Sequence, residues 1–186
     1  MAQKMEKEQK PEQNAPRRLY LMRHGKASKA KKDDRDVFRP LVKRGRKDVK
    51  KIRKLMEDRH LNPDLILCSP AVRTLETLVK LKKAFPTAEV VFVDALYMAD
   101  ADEILRILRR TAPDKKDVLV IGHNPGLHDF LPMVCDWNTS DEELHHHRIA
   151  ERFPTSALAC LEIPEPWQKL GNTPVRLKEF VYSSDL

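Results

Sequence analysis

Aromatic side chains make up only 6% of this 186-residue chain, so its packing must come mainly from Val, Ile and Leu. Apolar strands without many rings suit a parallel sheet covered on both faces. Cysteine is nearly as scarce: Cys68, Cys135 and Cys160 are odd in number, far apart and set among apolar residues. They are expected to be buried thiols rather than a disulfide framework, and the absence of any Cys-x-x-Cys pair argues against zinc. His145, His146 and His147 offer no better metal site, because three consecutive side chains cannot all face one ion on a regular element. No apolar run approaches the length that crosses a bilayer, and there is no internal repeat. Met1 to Arg18 lacks the apolar core of a signal peptide, and Glu6, Glu8 and Glu12 argue against a transit peptide. That segment is expected to be a disordered, charged N-terminal extension. A single domain from Leu19 to Leu186, in a cytoplasmic protein without a membrane partner, is expected to follow.

Three segments carry the chemistry. In the first, the apolar run Leu19-Tyr20-Leu21-Met22 ends on Arg23-His24-Gly25-Lys26. A glycine after the histidine lets the backbone turn sharply at the end of a strand. Such a turn can present an imidazole and a guanidinium to one anion. His24 would attack phosphorus as a neutral imidazole while Arg23 grips the phosphoryl oxygens through its planar fork. The second segment, Leu65 to Thr74, reads as a buried strand, a Ser69-Pro70 helix start and a helix with Arg73 in its first turn. In the third, the apolar run Val118 to Ile121 ends on Gly122-His123-Asn124-Pro125-Gly126. Ligands of parallel α/β sheets bind where strand ends deliver such groups, so Arg23, His24, Arg73 and His123 are expected to converge on one anion.

These motifs resemble those of the histidine phosphatase (phosphoglycerate-mutase-like) superfamily, and most closely its small SixA-type phosphohistidine phosphatases. The family's Arg-His-Gly is matched by Arg23, His24 and Gly25, its Ser-Pro-x-x-Arg by Ser69 to Arg73, and its Gly-His-Asn-Pro-Gly by Gly122 to Gly126. Arg39-Pro40-Leu41 and the late strand around Pro154 to Ala159 also fit the SixA-type pattern. The resemblance spans roughly Leu19 to Ile163. It implies a phosphoglycerate-mutase-like α/β fold, a three-layer sandwich with a mostly parallel central sheet. It also implies that His24 becomes phosphorylated, that Arg23, Arg73 and His123 complete the phosphate pocket, that no cofactor is needed, and that the partner is a phosphohistidine-bearing protein. Arg39 is either a further contact to the phosphate or substrate, or an ordinary loop arginine. Cys68 stands where a serine is frequent in the family.

One expected part is missing. Mutase and acid-phosphatase members place a carboxylate where this chain reads Ala95-Leu96-Tyr97-Met98-Ala99. Asp100 and Asp102 lie just beyond, but first-turn acids capping the next helix explain them better. An alkoxide leaving group needs a proton, and a positioned acid contributes roughly 10² to 10⁴ in rate. Phosphohistidine can instead be protonated on its other ring nitrogen, since imidazole titrates near ~6.5, and then leaves as neutral imidazole. A pocket without an acid therefore suits a nitrogen leaving group. The short connections between motifs, without the inserted helical region of small-molecule members, leave a small-molecule phosphomonoesterase or mutase as the second choice.

The remaining periodicity predicts helices at about Val42–Arg59, Ala71–Ala84, Asp102–Thr111 and Leu127–Cys135. Further strands are predicted at about Asp64–Cys68, Glu89–Val93, Asp117–Ile121, Ser156–Ile163 and Val175–Tyr182. Alternating β and α segments predict right-handed crossovers and a largely parallel sheet. The net charge of +7 is uneven: Lys26 to Lys54 holds fourteen Lys or Arg against four Asp. A positive rim there would draw in phosphorylated or acidic partners. The alternative, a non-catalytic phosphate- or acidic-partner-binding module, stays open. Nucleic acid is not expected, because the stretch lacks interleaved aromatics for base stacking.

Overall fold

Strand β1 (Arg17–Arg23) shows how this sequence chooses its architecture. Leu19 and Leu21 face one side, Tyr20 and Met22 the other, and all four are buried, so the strand must be covered twice. Strands β2 (Leu65–Cys68) and β4 (Asp117–Gly122) are equally apolar and buried. The computed structural model describes residues 16–30, 35–136 and 151–186. It places β3 (Glu89–Phe92), β5 (Leu158–Ile163) and β6 (Arg176–Val181) with these in one six-stranded sheet of order β3-β2-β4-β1-β5-β6.

The neighbours β3, β2, β4 and β1 pair in parallel, while β5 runs against both β1 and β6. The sheet is thus mostly parallel, with one reversed strand near an edge. β5 and β6 can pair antiparallel because such strands need only a short connection, here the segment containing Trp167. Trp167 is fully buried, and its indole Nε1 donates to the Lys115 carbonyl at 2.7 Å, which settles the polar end of a large apolar side chain.

Four helices among the described residues complete the layers. Helices α1 (Lys43–Asp58) and α2 (Val72–Leu81) pack Val49, Ile52, Met56, Leu78 and Leu81 on the face that carries Tyr20, Met22, Ile66 and Ile121. On the opposite face, α3 (Ala101–Arg109) and α4 (Gly126–Val134) pack Ile104, Leu108, Leu127, Phe130 and Leu131 against Leu19, Leu21, Val118 and Val120. The buried positions of α1 and α4 recur at three- and four-residue spacing, the signature of a helix with one core-facing stripe. The result is the three-layer α/β sandwich expected from the sequence.

Boundaries shift in instructive ways. Arg17 and Arg18, expected in the disordered extension, belong to β1, where the Arg18 backbone N–H bonds the Lys116 carbonyl at 2.9 Å. The rest of that expectation, Met1 to Ala15, lies outside the described residues, as do His145 to His147. The strand expected from Ser156 begins at Leu158, because Ser156 adopts a left-handed φ of 63° and turns the chain. The three cysteines are buried, as expected, and burial pushes the Cys68 thiol up to about 12. Among the described residues no helix is long and apolar enough to cross a membrane.

Candidate active site

Strands β2, β4 and β1 are consecutive neighbours in the sheet, and their C-terminal ends carry the three sequence motifs. Adjacency of these ends is what lets residues 50 and 100 positions apart meet. Arg23 closes β1, and the next residue, His24, is anchored by its backbone N–H to the Gly122 carbonyl of β4 at 3.2 Å. Ser69 follows β2, with its N–H on the Ile121 carbonyl at 3.1 Å, and the chain then enters α2 at Val72, placing Arg73 in the first turn. His123 follows β4 directly.

His24 is buried and its two ring nitrogens differ in environment. Nδ1 lies 2.7 Å from the Gly25 carbonyl, which can only accept, so Nδ1 bears the hydrogen. Nε2 then carries a lone pair, and Arg73 Nε donates to it at 3.2 Å. Burial lowers the His24 pKa to about 4; the Gly25 carbonyl opposes the shift, and the positive charges of Arg73, Arg23 and Arg39 add to it. The imidazole is therefore neutral at physiological pH, with its free nitrogen turned toward cationic groups.

His123 lies beside it, the ring centroids 5.2 Å apart. Its Nε2 is 2.7 Å from the Ser69 hydroxyl, while its Nδ1 is buried and without a partner among the described residues. Burial, then the charge of Arg73, lowers its pKa to about 3. Arg23 donates through Nη1 to the Phe153 carbonyl at 2.8 Å, and its buried Nε has no described partner. Buried polar atoms are normally paired, so the orphaned Arg23 Nε, a donor, and His123 Nδ1 mark a place where polar atoms of a ligand belong.

These side chains line an open cleft of about 450 Å³. Among the described residues, Arg23, Lys26, Arg39 and Arg73 face it with a single carboxylate, Asp36. An excess of cations around a neutral imidazole fits an anion bearing several oxygens. All four expected residues, Arg23, His24, Arg73 and His123, are thus brought together, and Arg39 joins them at the rim. Arg39 is not free there: its Nε donates to the Ser28 carbonyl at 2.7 Å and its Nη1 to Asp36 at 2.6 Å.

Asp100 and Asp102, the weak candidates for an acid, lie elsewhere. Asp100 caps α3, accepting from the Glu103 N–H at 2.7 Å, and Asp102 sits exposed in the first turn. Two cleft residues escaped sequence reasoning. Asp36, in a short 3₁₀ turn (Asp36–Phe38), accepts from Arg39 on Oδ1 and from Tyr97 Oη on Oδ2 at 2.9 Å. Arg73 clamps the same residue twice, Nη1 to its main-chain carbonyl at 2.8 Å and Nη2 to Oδ2 at 2.9 Å. Burial pushes this carboxyl up, but the bonds from Arg39 and Tyr97 and the Arg73 charge outweigh it and hold it at about 2. Tyr97 enters the cleft from the segment in which a carboxylate was sought, its ring edge-on to His123 at 5.6 Å. That segment is seated by Gly126, where a Cβ would come within 2.0 Å of the Ala99 carbonyl.

The sequence model of the histidine phosphatase superfamily (branch 1) matches residues 19–104. The candidate phosphohistidine phosphatase SixA from Agrobacterium tumefaciens superposes with a TM-score of 0.74 and 32% identity, over 89% of this chain and 97% of that one. The chain belongs to the histidine phosphatase superfamily. It is of the SixA type within that superfamily: a second SixA, from Nakamurella multipartita, aligns at TM-score 0.73 and 26% identity over 90% of this chain and 96% of its own. A protein histidine phosphatase SixA complexed with tungstate shares the fold at TM-score 0.72 and 20% identity, over 90% of this chain and 98% of its own. A curated relative, an uncharacterised chloroplastic protein of Arabidopsis thaliana, is 31% identical over 134 residues, 67% of this chain and 62% of that protein. The chain therefore spans a little under two-thirds of the length of the curated relatives it matches.

Proposed function

We propose that this histidine phosphatase hydrolyses phosphohistidine on proteins through a covalent intermediate on His24. The observation that carries the reading is the state of the cleft. A neutral imidazole whose Nε2 lone pair accepts from Arg73 stands among guanidinium groups, and the one carboxylate beside it among the described residues is held ionised and cannot donate a proton.

In the first displacement, His24 Nε2 attacks phosphorus and the P–N bond of the substrate breaks. The electron pair returns to the substrate ring, which leaves as neutral imidazole because its other nitrogen already carries a proton. The Gly25 carbonyl, 2.7 Å from Nδ1, supports the positive charge that phosphorylation places on the His24 ring. Arg73 Nε gives up its contact with Nε2 and turns to a phosphoryl oxygen, joined by Arg23 and by His123 Nδ1–H. In the second displacement water attacks the phosphorus of phospho-His24, the P–Nε2 pair returns to the ring, and the water's proton departs with the phosphate. Positioning and electrostatics dominate such transfers, so these groups suffice for the chemistry.

Phosphate release should be measured from a phosphohistidine-bearing protein and from a simple alkyl phosphate, with wild type and His24→Ala. Selective release from phosphohistidine, abolished by the substitution, is the expected result. Efficient alkyl phosphate hydrolysis would refute the leaving-group argument, and release from neither substrate would favour a binding module.

A further inference from the structure

Among the described residues the cleft holds one acidic group, Asp36, and the chemistry above leaves it unused. Asp36 cannot serve as an acid, because Arg39, Tyr97 and Arg73 all donate to its carboxylate. Those three bonds leave Oδ1 with room for a further donor, and the side chain is 42% exposed on the cleft wall. Arg73 ties it to the reacting centre: one guanidinium reaches His24 Nε2 through Nε and Asp36 Oδ2 through Nη2. One guanidinium thus bridges the attacking nitrogen and the carboxylate on the cleft wall. Exposed Met98 adds an apolar side chain to the lining, against which a ring can lie.

Building on the phosphohistidine reading, we propose that Asp36 recognises the leaving group, its carboxylate accepting the N–H of the ring nitrogen remote from phosphorus. A fixed anion at that point favours the protonated, cationic form of phosphohistidine, the form that departs as neutral imidazole when the P–N bond breaks. The proton stays on the substrate ring throughout and no acid has to supply it. Aryl and alkyl phosphates carry no such N–H, so for them the carboxylate offers only repulsion. Asp36 thereby turns the absence of a proton donor into a preference for one class of substrate.

Three probes separate this role from simple support of Arg73. These are a phosphohistidine-bearing protein, p-nitrophenyl phosphate, and phosphoramidate, whose ammonia leaving group has no remote ring nitrogen. With Asp36→Asn, kcat/KM for phosphohistidine relative to p-nitrophenyl phosphate is expected to fall by about tenfold or more, the loss expected of a hydrogen bond to a charged group. Phosphoramidate should follow p-nitrophenyl phosphate. Equal losses on all three would overturn the proposal and leave Asp36 as a positioning residue for Arg73. Wild-type pH profiles provide a reading that does not depend on a variant folding. Turnover of phosphohistidine relative to p-nitrophenyl phosphate should decline as pH rises past the titration of the substrate ring, and a flat ratio would also overturn the proposal. If wild type shows no preference for phosphohistidine at all, the reading of the site itself fails; if the preference exists and survives Asp36→Asn, only the role of Asp36 falls.

Discussion

Two neutral histidines buried side by side should make this fold labile to mild acid. His24 titrates at about 4 and His123 at about 3 in the folded protein, both because burial disfavours the charged ring. In the unfolded chain each returns to about 6.5. Protons therefore bind the unfolded chain more readily, and the contribution of each neutral ring to stability is complete above about pH 6.5 and lost as pH falls toward the folded value. At pH 5 an ordinary histidine is about 97% protonated, while one titrating near 4 is about 90% neutral, which amounts to about 2 kcal/mol for His24. His123 contributes a similar amount, and because the rings lie 5.2 Å apart the two share part of the penalty, giving about 2 to 4 kcal/mol together. That is a large share of the ~5–15 kcal/mol that holds an ordinary domain. Asp36, held at about 2, stays ionised across this window and does not contribute to the change. The assay is urea unfolding at pH 7 and pH 5, with wild type, His24→Gln, His123→Gln and the double variant. Wild type should lose stability between the two pH values, and the double variant should lose about 2 to 4 kcal/mol less. An equal loss in both would refute the claim that these rings are neutral because they are buried.

Two further outcomes test the supports of the site. Ser69→Ala removes the hydroxyl that lies 2.7 Å from His123 Nε2 and fixes the orientation of the ring; vanadate or phosphate should bind about 5- to 10-fold more weakly by isothermal titration, and unchanged binding would remove Ser69 from the argument. Gly126→Ala puts a methyl against the Ala99 carbonyl at 2.0 Å, so the Tyr97 segment must shift; a thermal melt should fall by several degrees, with Tyr97 fluorescence or backbone NMR shifts reporting movement at the cleft.

The strands that deliver the site were legible because each is a short, wholly apolar run ending abruptly in a charged or imidazole side chain. Composition carries that signal directly, and the alternation of strand and helix carried the layers with it. The direction of β5 was not legible: an apolar run such as Leu158 to Ile163 reads the same whether its neighbour runs with it or against it. Asp36 was missed because it lies in a charge-rich stretch where one more acid looks like solvated loop, and only the fold brings it against Arg73 and Tyr97. Tyr97 was passed over for a different reason. A lone phenol in the segment 95–99 signals nothing by spacing or periodicity, and only the fold turns it into the cleft. Arg39 stood between two readings in the sequence, and the structure gives it a place at the rim with its fork turned to Asp36.

The strand order has a consequence for how the protein comes into being. β4 lies between β1 and β2 in the sheet although it follows both in the chain. The first hundred or so residues hold Arg23, His24, Asp36 and Arg73, yet β1 and β2 have no edge to share until Asp117–Gly122 is inserted between them. A chain growing from its N-terminus on the ribosome therefore cannot close the cleft early. His24 and Arg73 are brought together only with a segment made many residues later, and His123, which that segment carries, arrives in the same event that joins the two halves. Assembly of the sheet and assembly of the cleft are one step, governed by the slow closure of long loops rather than by local helix formation.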